Sequence, residues 1–364
     1  MSETVFFLLL FFLIFQILFY VYFNILLGRY KLVPNRDQPP ISVIVALKNE
    51  EKNVVQLIKG LARQQYREFE VILVNDHSED STLALIKQTE KPKFFKVLDL
   101  GEVPTGWNSK KYALNEGIKK SRYQYLLFTD ADCIPESDKW IASMSQNTSF
   151  SDVVLGVAPV RKRKGFLGLF IQYENFMTHL QMVSLSLAGM PYMGIGRNLL
   201  YNKGVFNKYN GFDGVEGVTG GDDDLLINKW SNKEIISVNI EKEARVNTYG
   251  KETWRSFFRQ KLRHLSVGKK YKLRHIAILG SFIASKCLFW LCVLYLLITG
   301  WEPYLVILSI VCLLMFVLPV TWDAKVKFNS KFNIQLLLFL DFVYGLYYIT
   351  TSIAALFVKR IKWT

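Results

Sequence analysis

The sequence predicts an α/β domain built on a mostly parallel sheet, with apolar membrane helices before and after it. Two observations predict this fold class. Short β-branched runs alternate with helical patterns in the middle of the chain, and long apolar stretches lie near both ends. Alternating short strands and helices are typical of parallel sheets that are covered on both faces. We therefore divide the 364 residues into a membrane anchor (1–32), a central domain (33–275) and a C-terminal membrane region (276–364).

The first element is an uncharged stretch, Val5–Leu27, which is long enough to cross a bilayer because a crossing takes about 20 apolar residues. A cleaved signal peptide would have a basic start, a shorter core and a small-residue cleavage site. This stretch follows Ser2 and Glu3 and ends in bulky residues, so we expect an uncleaved anchor. Basic residues concentrate on its C-terminal side, which predicts an external N-terminus and a cytoplasmic central domain. Those residues are Arg29, Lys31 and Arg36.

The central domain has the pattern of a sheet covered by helices. Apolar, β-branched runs predict strands at 41–46, 70–75, 94–98, 125–129 and 152–156. Helical spacing predicts helices at 53–65, 81–88, 109–120 and 225–230, and an amphipathic, aromatic stretch at 165–189. Ligands of such sheets bind beyond the carboxyl ends of the strands. The residues that follow the strands are therefore the first candidates for a functional site.

Acidic residues follow three of the predicted strands. Glu50 comes after the first strand, Asp76 after the second, and the pair Asp130 and Asp132 after the strand at 125–129. Each alone is explained by helix capping, but three strand ends on one edge favour a shared site. Residues i and i+2 of an extended segment point the same way, so the Asp130–Asp132 pair predicts a bound cation. Oxygen ligands suit Mg²⁺ or Mn²⁺, which would bridge to phosphate oxygens.

Two common phosphate-binding motifs are absent from the sequence. No Gly-x-Gly-x-x-Gly follows the first predicted strand, and the chain has no Gly-Lys-Ser/Thr loop. These absences argue against a dinucleotide-dependent dehydrogenase and a P-loop ATPase. Phosphates would then be held by metal and basic side chains.

A cluster of three aspartates, Asp222, Asp223 and Asp224, follows Gly220-Gly221 and precedes a helical pattern. A helix N-terminus favours negative charge, so capping is one interpretation of the cluster. The other is a general base that takes the proton of an acceptor hydroxyl. Crowded carboxylates should raise the pKa of one of them, which suits a base.

Three apolar stretches follow the central domain and are further membrane candidates. They are Ile276–Ile298, Pro303–Trp322 and Phe332–Val358. The first contains Lys286 and the last contains Asp341, and both charges should face protein or water because charge in hydrocarbon is costly.

For the last of these stretches, Phe332–Val358, the sequence allows more than one membrane topology. A full crossing would place the basic cluster that follows it outside, against the positive-inside rule, so a re-entrant or interfacial arrangement stays open. The residues of that cluster are Lys359, Arg360 and Lys362.

The net charge of +14 predicts an anionic neighbour. Many of the basic residues crowd into Arg255–Arg274, next to an apolar stretch and without an intervening acid. This placement favours anionic lipid headgroups, and without a recognisable nucleic-acid module we expect no nucleic-acid partner. The four cysteines have neither metal-ligand spacing nor a disulfide pattern, which excludes zinc fingers and disulfide-stapled folds as the main architecture.

Four segments of the central domain, taken together, resemble the family 2 glycosyltransferases, which have the Rossmann-like GT-A fold. They are, in order, Ile41–Glu50, Asn75–Thr82, Ser109–Asn115 and Thr129–Asp132. The resemblance covers about residues 41–270. It implies a nucleotide-sugar donor, which we expect to be UDP-linked, and Mg²⁺ or Mn²⁺ as the cofactor.

The resemblance also implies roles for single residues. Glu50 and Asp76 would contact the uridine, and Lys110 would lie near the base or the diphosphate. Asp130 would lie by the ribose and diphosphate in the metal motif, in which Asp132 would be the direct ligand.

Two later segments extend the resemblance. Gly220–Asp223 is similar to the Gly-Glu/Asp-Asp motif, which implies that Asp223 is the catalytic base with Asp222 beside it. A one-residue shift of the alignment would select a neighbouring aspartate instead. Gln260–His264 is similar to the Gln-x-x-Arg-Trp motif of membrane-bound members, which implies that Gln260 and Arg263 bind the donor and that Arg263 supports the leaving diphosphate. His264 stands where that motif has Trp, a departure at the acceptor platform.

These implications define the expected function. We expect an inverting glycosyltransferase of the bacterial inner membrane that transfers sugar to a lipid or glycan acceptor from the cytoplasmic side. One alternative is a processive polysaccharide synthase, which the few membrane segments and the missing Trp disfavour. Another is a non-catalytic membrane scaffold, which the intact Asp130, Asp132 and Asp223 disfavour. The segment Gly194–Asn198 is predicted to border the acceptor site.

Overall fold

The structure, a computed structural model, describes residues 1–33 and 38–357, with no side-chain description for 356 and 357. Arg36 and the cluster Lys359, Arg360 and Lys362, which entered the topology prediction, lie outside the described residues. The chain forms two compact units. The membrane unit contains Met1–Tyr30, Lys162–Ser184 and the described residues from Lys251 to 357, and the sheet unit contains the described residues of Lys31–Arg161 and Leu185–Gly250. The contiguous division at residues 32 and 275 stays a prediction.

Nine β-strands are present in the described part of the chain. They are β1 (Ile41–Leu47), β2 (Phe69–Asn75), β3 (Phe95–Asp99), β4 (Tyr125–Phe128), β5 (Cys133–Pro135), β6 (Val153–Gly156), β7 (Leu199–Asn202), β8 (Ile236–Asn239) and β9 (Val246–Thr248). Seven of them form one sheet in the order β3-β2-β1-β4-β7-β6-β8. Only β7 runs antiparallel to its neighbours in that sheet, so the predicted mostly parallel sheet is confirmed. β5 and β9 form a separate antiparallel pair.

Twelve α-helices are present in the same described residues. They are α1 (Ser2–Arg29), α2 (Val54–Ala62), α3 (Thr82–Gln88), α4 (Ser109–Lys120), α5 (Trp140–Ser145), α6 (Phe166–Leu187), α7 (Lys203–Lys208), α8 (Asp224–Trp230), α9 (Trp254–Gly268), α10 (Leu273–Ile298), α11 (Pro303–Lys327) and α12 (Leu337–Phe357). Short 3₁₀ turns lie at Gln146–Ser149, Gly196–Asn198, Lys242–Ala244 and Ile334–Leu336.

The core of the sheet unit places the strand ends that matter for a site. The apolar face of α2, which carries Leu57 and Leu61, packs into the same buried cluster as the side chains of β1 and β2. Helix α4 approaches the sheet closely at Gly117, where a Cβ atom would lie 2.8 Å from the side chain of Ile44. Because β1, β2 and β4 are parallel neighbours, their carboxyl ends lie at one edge of the sheet.

Four helices in the described residues are long and apolar enough to cross a membrane. They are Ser2–Arg29, Leu273–Ile298, Pro303–Lys327 and Ile334–Ala355. The predicted helices at both ends of the chain are therefore confirmed, and the last stretch, for which the sequence allows more than one topology, forms one continuous helix, α12, after a 3₁₀ turn. Lys286 and Asp341 are buried and paired with each other, which confirms that both charges face protein.

Candidate active site

An open cleft of about 300 Å³ lies at the carboxyl end of β4 and the start of α8. Its walls combine apolar side chains with four charged ones, an arrangement that is typical of ligand sites. The lining residues are Lys110, Leu114, Phe128, Thr129, Asp130, Gly196, Leu199, Tyr201, Asp222 and Asp223. Four residues that the sequence predicts for the site therefore lie together in the sheet unit.

Lys110 is the central cation of this cleft. It extends from the first turn of α4, and its ammonium lies 3.0 Å from a carboxylate oxygen of Asp130 and 3.0 Å from one of Asp222. Burial alone would lower the pKa of Lys110, but the charges of Asp130, Asp222 and then Asp223 raise it above its ordinary value. The lysine therefore stays charged and joins the strand end to the aspartate cluster.

Asp223 is both the N-cap of α8 and a wall of the cleft. One carboxylate oxygen accepts a hydrogen bond from the amide of Asp224 at 2.8 Å, and the other accepts one from the amide of Gly196 at 2.6 Å. Burial and the neighbouring Asp222 carboxylate raise the pKa of Asp223 to about 6. Capping and a perturbed pKa coexist in one side chain, so the two interpretations of the cluster do not exclude each other.

The neighbouring carboxylate of Asp222 has the opposite shift. Burial would raise the pKa of Asp222, but the charge and hydrogen bond of Lys110 lower it below its ordinary value. Asp224 is buried in the first turn of α8 and is not among the cleft residues. Two adjacent carboxyls with pKa values pushed apart are typical of acid–base sites.

The predicted metal pair follows β4 directly. Asp130 contacts Lys110, and Asp132 accepts a hydrogen bond from the thiol of Cys133 at 3.3 Å. Burial, followed by the two aspartates, raises the pKa of Cys133 well above its ordinary value, so this thiol stays protonated and is a poor metal ligand. Within residues 1–33 and 38–357, no three His, Cys, Asp or Glu side chains form a ready-made metal cluster. Mg²⁺ is commonly held by one or two carboxylates together with substrate phosphates, so two aspartates suit a metal that binds with a diphosphate.

Glu50 and Asp76 lie in the loops after β1 and β2, at the same sheet edge but outside the cleft lining. The carboxylate of Asp76 is fully buried, 3.0 Å from the ring of His77 and 3.7 Å from the ammonium of Lys48. The Glu50 carboxylate accepts a hydrogen bond from the side-chain amide of Asn53 at 2.7 Å. These contacts order the two loops that the resemblance assigns to the uridine.

Gln260 and Arg263 lie on α9 and belong to the membrane unit. Arg263 is half-buried and His264 is exposed. The structure therefore does not place these two residues in the cleft of the sheet unit, and their contribution to donor binding stays a prediction.

Two further residues line the cleft. Gly196 belongs to the segment Gly194–Asn198, which is predicted to border the acceptor site, and its amide donates a hydrogen bond to Asp223, a contact that the sequence does not predict. Tyr201 lies on β7, and burial followed by the Asp222 charge raises its pKa well above its ordinary value. The short run Leu199–Asn202 has no alternation long enough to predict a strand, so no signal pointed to Tyr201.

The geometry can be compared with known proteins. The profile described as Glycosyl transferase family 2 matches residues 42–209, and the profile described as Glycosyl transferase family group 2 matches residues 151–320. Together the two profiles cover most of the chain. The chain belongs to the family 2 glycosyltransferases.

Curated relatives of this chain include poly-beta-1,6-N-acetyl-D-glucosamine synthases. The enzyme of Staphylococcus epidermidis is 34% identical over 154 residues, which are 41% of this chain and 36% of the relative. The enzyme of Staphylococcus aureus strain COL is 28% identical over 153 residues, with the same shares. The chain thus matches just over a third of the length of these relatives.

A solved structure resembles this chain over nearly its whole length. The mannosyltransferase PcManGT from Pyrobaculum calidifontis, in complex with GDP-Man and Mn²⁺, has a TM-score of 0.64 at 15% identity and covers 99% of this chain and 100% of its own. At that identity the likeness establishes the GT-A fold with its apolar helices.

Proposed function

We propose that this chain is a metal-dependent, inverting hexosyltransferase that uses a nucleotide-diphosphate sugar. The observation that carries the proposal is the cleft in which Lys110 joins Asp130 to Asp222 while Asp223 keeps a raised pKa. A lone helix cap requires no lysine between a strand end and the cap. A site for sugar transfer needs a cation near the diphosphate and a base near the acceptor.

In the proposed reaction the acceptor hydroxyl attacks the anomeric carbon as the bond from that carbon to the diphosphate oxygen breaks. Asp223 takes the hydroxyl proton, and the amide of Gly196 holds the carboxylate in place for this step. Lys110 lies 3.0 Å from Asp130, so its positive charge would offset part of the negative charge of a diphosphate bound there. Asp132 and Asp130 would hold Mg²⁺ or Mn²⁺, which supplies neutralising charge to the leaving diphosphate when bound.

The remaining partners belong to the same proposal. The donor is a UDP-sugar, contacted by Glu50 and Asp76 at the uridine and by Gln260 and Arg263 from α9. UDP-N-acetylglucosamine is the first donor to test, since the curated relatives are named for a polymer of N-acetylglucosamine. The acceptor is a lipid or glycan at the membrane. We place the protein in the bacterial inner membrane with the sheet unit in the cytoplasm, where nucleotide sugars are made.

Turnover of the full-length protein in detergent, with UDP-N-acetylglucosamine, Mn²⁺ and a membrane lipid extract, tests the proposal. Asp223→Asn keeps the size of the side chain and one acceptor oxygen for the cap, but it loses one of the two backbone hydrogen bonds and cannot accept a proton, so transfer should fall by at least about 10²–10⁴. UDP affinity in the presence of Mn²⁺ should hardly change. Asp222→Asn and Asp224→Asn should cost less, because neither carries the proton. If Asp223→Asn turns over normally while Asp222→Asn or Asp224→Asn loses turnover, the base is the neighbouring aspartate. If all three variants stay active, the assignment of the base to this cluster is refuted.

A second candidate function is processive synthesis of a polysaccharide. It is favoured by the names of the curated relatives, which are synthases of a polymer. The length of the product made from excess UDP-N-acetylglucosamine separates it from single transfer. A non-catalytic scaffold predicts neither product and no metal-dependent release of UDP.

A further inference from the structure

A buried lysine outside the cleft holds the segment that leads into the aspartate cluster. Lys111 follows Lys110 in the first turn of α4, and its side chain is fully buried. Its ammonium donates hydrogen bonds to the carbonyl of Val215 at 2.7 Å and to that of Val218 at 2.9 Å. Burying an ammonium is costly unless charge-assisted hydrogen bonds compensate, so these contacts are a specific feature of the fold.

The segment that Lys111 holds, residues 211–221, contains no helix or strand, and its internal backbone hydrogen bonds close short turns such as Phe212–Val215. It consists of turns and bends between α7 and α8. Four of its glycines, Gly211, Gly214, Gly220 and Gly221, have positive φ angles, which only glycine adopts freely. A backbone of this kind has many accessible conformations. The position of Asp222 and Asp223 at its end therefore depends on contacts from outside the segment.

The start of α4 supplies further contacts of this kind. The amide of Asn108, the N-cap of α4, donates a hydrogen bond to the carbonyl of Glu216 at 2.8 Å. The backbones also meet at Gly217, where a Cβ atom would lie 2.8 Å from the carbonyl oxygen of Gly106. Three hydrogen bonds and one close backbone contact thus join α4 and its preceding loop to the segment.

We infer that Lys111 is a positioning residue for sugar transfer, which holds segment 211–221 against α4 so that Asp222 and Asp223 line the cleft. The inference rests on the proposed function for its catalytic consequence, but not for the contact itself. Lys110 and Lys111 divide the work: the first binds the carboxylates, and the second binds the backbone that carries them. A misplacement of about 1 Å by a change away from the chemistry can cost about 10²-fold in rate.

The test compares Lys111→Met with wild type as full-length protein in lipid nanodiscs. Turnover of UDP-N-acetylglucosamine should fall about 10²-fold in kcat, whereas KM and the affinity for UDP with Mn²⁺ should stay within about threefold. Amide hydrogen exchange should accelerate in residues 211–221 and stay unchanged in β1 and β2. Lys119→Met is the matched control, since Lys119 lies in the last turn of the same helix with an exposed side chain. It should change none of these quantities.

Gly217→Ala provides an independent second variant. Its methyl group would push the segment away from Gly106 without altering α4, and the same pattern of effects is expected. Folded variants with unchanged exchange in 211–221 and near-normal kcat would overturn the inference. So would accelerated exchange across the whole sheet unit with a matching loss of UDP affinity, since that is a general folding defect. If wild type transfers no sugar, the proposed function fails, while hydrogen exchange still decides whether Lys111 holds the segment.

Discussion

Asp223 connects the stability of α8 with the chemistry of the cleft, because one carboxylate caps the helix and has a raised pKa. As a general base it acts only when deprotonated, and its pKa is raised to about 6. We therefore predict that kcat/KM falls as the pH drops through about 6. The measurement is the pH profile of UDP-N-acetylglucosamine turnover, read on the free-enzyme parameter kcat/KM.

Asp222→Asn tests the cause of that shift. The charge of Asp222 raises the pKa of Asp223, so its removal should move the acidic limb of the profile to lower pH. Asp224→Asn, which leaves both cleft carboxylates in place, should leave the limb where it is. A limb that stays at the same pH in Asp222→Asn would contradict the assignment of Asp223 as the titrating base.

Asp132→Asn tests the assignment of Asp132 as a metal ligand. Asp132→Asn removes the charge expected to hold the cation, so the Mn²⁺-dependent part of UDP affinity should be lost. Calorimetric titration of UDP with and without Mn²⁺ measures this difference. Asp138→Asn, an exposed aspartate beyond β5, is the control and should keep the metal dependence. Unchanged affinity in Asp132→Asn would refute its role as metal ligand.

Much of the cleft was predictable from single residues, and the rest depended on long-range contacts. Asp130 could be singled out because it follows a predicted strand, and Asp223 because it lies in a run of three aspartates that precedes a helical pattern. The contact of Lys110 with Asp222 could not be predicted, since it joins the start of α4 to a distant irregular segment. The hydrogen bond from Gly196 to Asp223 was equally hidden, because a backbone amide has no sequence signature.

The strands likewise divide into those that the local sequence pattern predicts and those that it misses. The five predicted strands are confirmed with bounds that differ by about a residue, and the local signal is strongest in β1 and β2, whose seven-residue, mostly apolar runs are almost fully buried. β7 was missed although it lies in the middle of the sheet, between β4 and β6. It has four residues and pairs antiparallel with both neighbours, so its place is decided by tertiary contacts and not by local pattern.

Helices α1, α6, α10 and α12 meet at a buried polar network in the membrane unit. Lys286 of α10 forms an ion pair with Asp341 of α12 and lies 3.2 Å from the hydroxyl of Tyr20. Tyr173 donates to Asp341 at 2.9 Å, and the indole of Trp290 donates to it at 3.0 Å. Each polar group thus satisfies another where water is scarce, which explains how two charges persist in apolar helices.

We predict that removing one partner of this ion pair destabilises the folded protein more than replacing both partners by apolar residues. Lys286→Met leaves the Asp341 charge buried and should destabilise the folded protein by about 3–5 kcal/mol. The double change Lys286→Met with Asp341→Leu removes both charges and should recover part of that loss, with a remaining cost because Tyr173 and Trp290 lose the acceptor of their buried hydrogen bonds. Thermal midpoints in detergent measure both effects, with Lys331→Met at an exposed site as control. A double variant as unstable as the single one would contradict this account.

The topology of the whole chain depends on α12, which has the length of a membrane span. Its second half runs beside α9. The ring of Tyr347 lies 5.8 Å from that of Phe257, and the ammonium of Lys269 donates to the carbonyl of Ala355 at 2.8 Å. Between those contacts α9 carries Arg259, Lys261, Arg263 and His264. A helix with these charges is expensive in hydrocarbon, so the end of α12 beside it should lie near the headgroups.

We therefore predict that α12 does not cross the bilayer fully and that its second half stays on the cytoplasmic side. In a cysteine-free variant, an impermeant thiol reagent should label Ser352→Cys and Lys331→Cys from the cytoplasmic side and Glu302→Cys from outside. All three positions have exposed side chains. A full crossing would carry Ser352 to the outer face, because it lies at the far end of the span that begins near Ile334. Labelling of Ser352→Cys from outside, with Lys331→Cys still labelled from inside, would refute the interfacial arrangement and establish a fourth span.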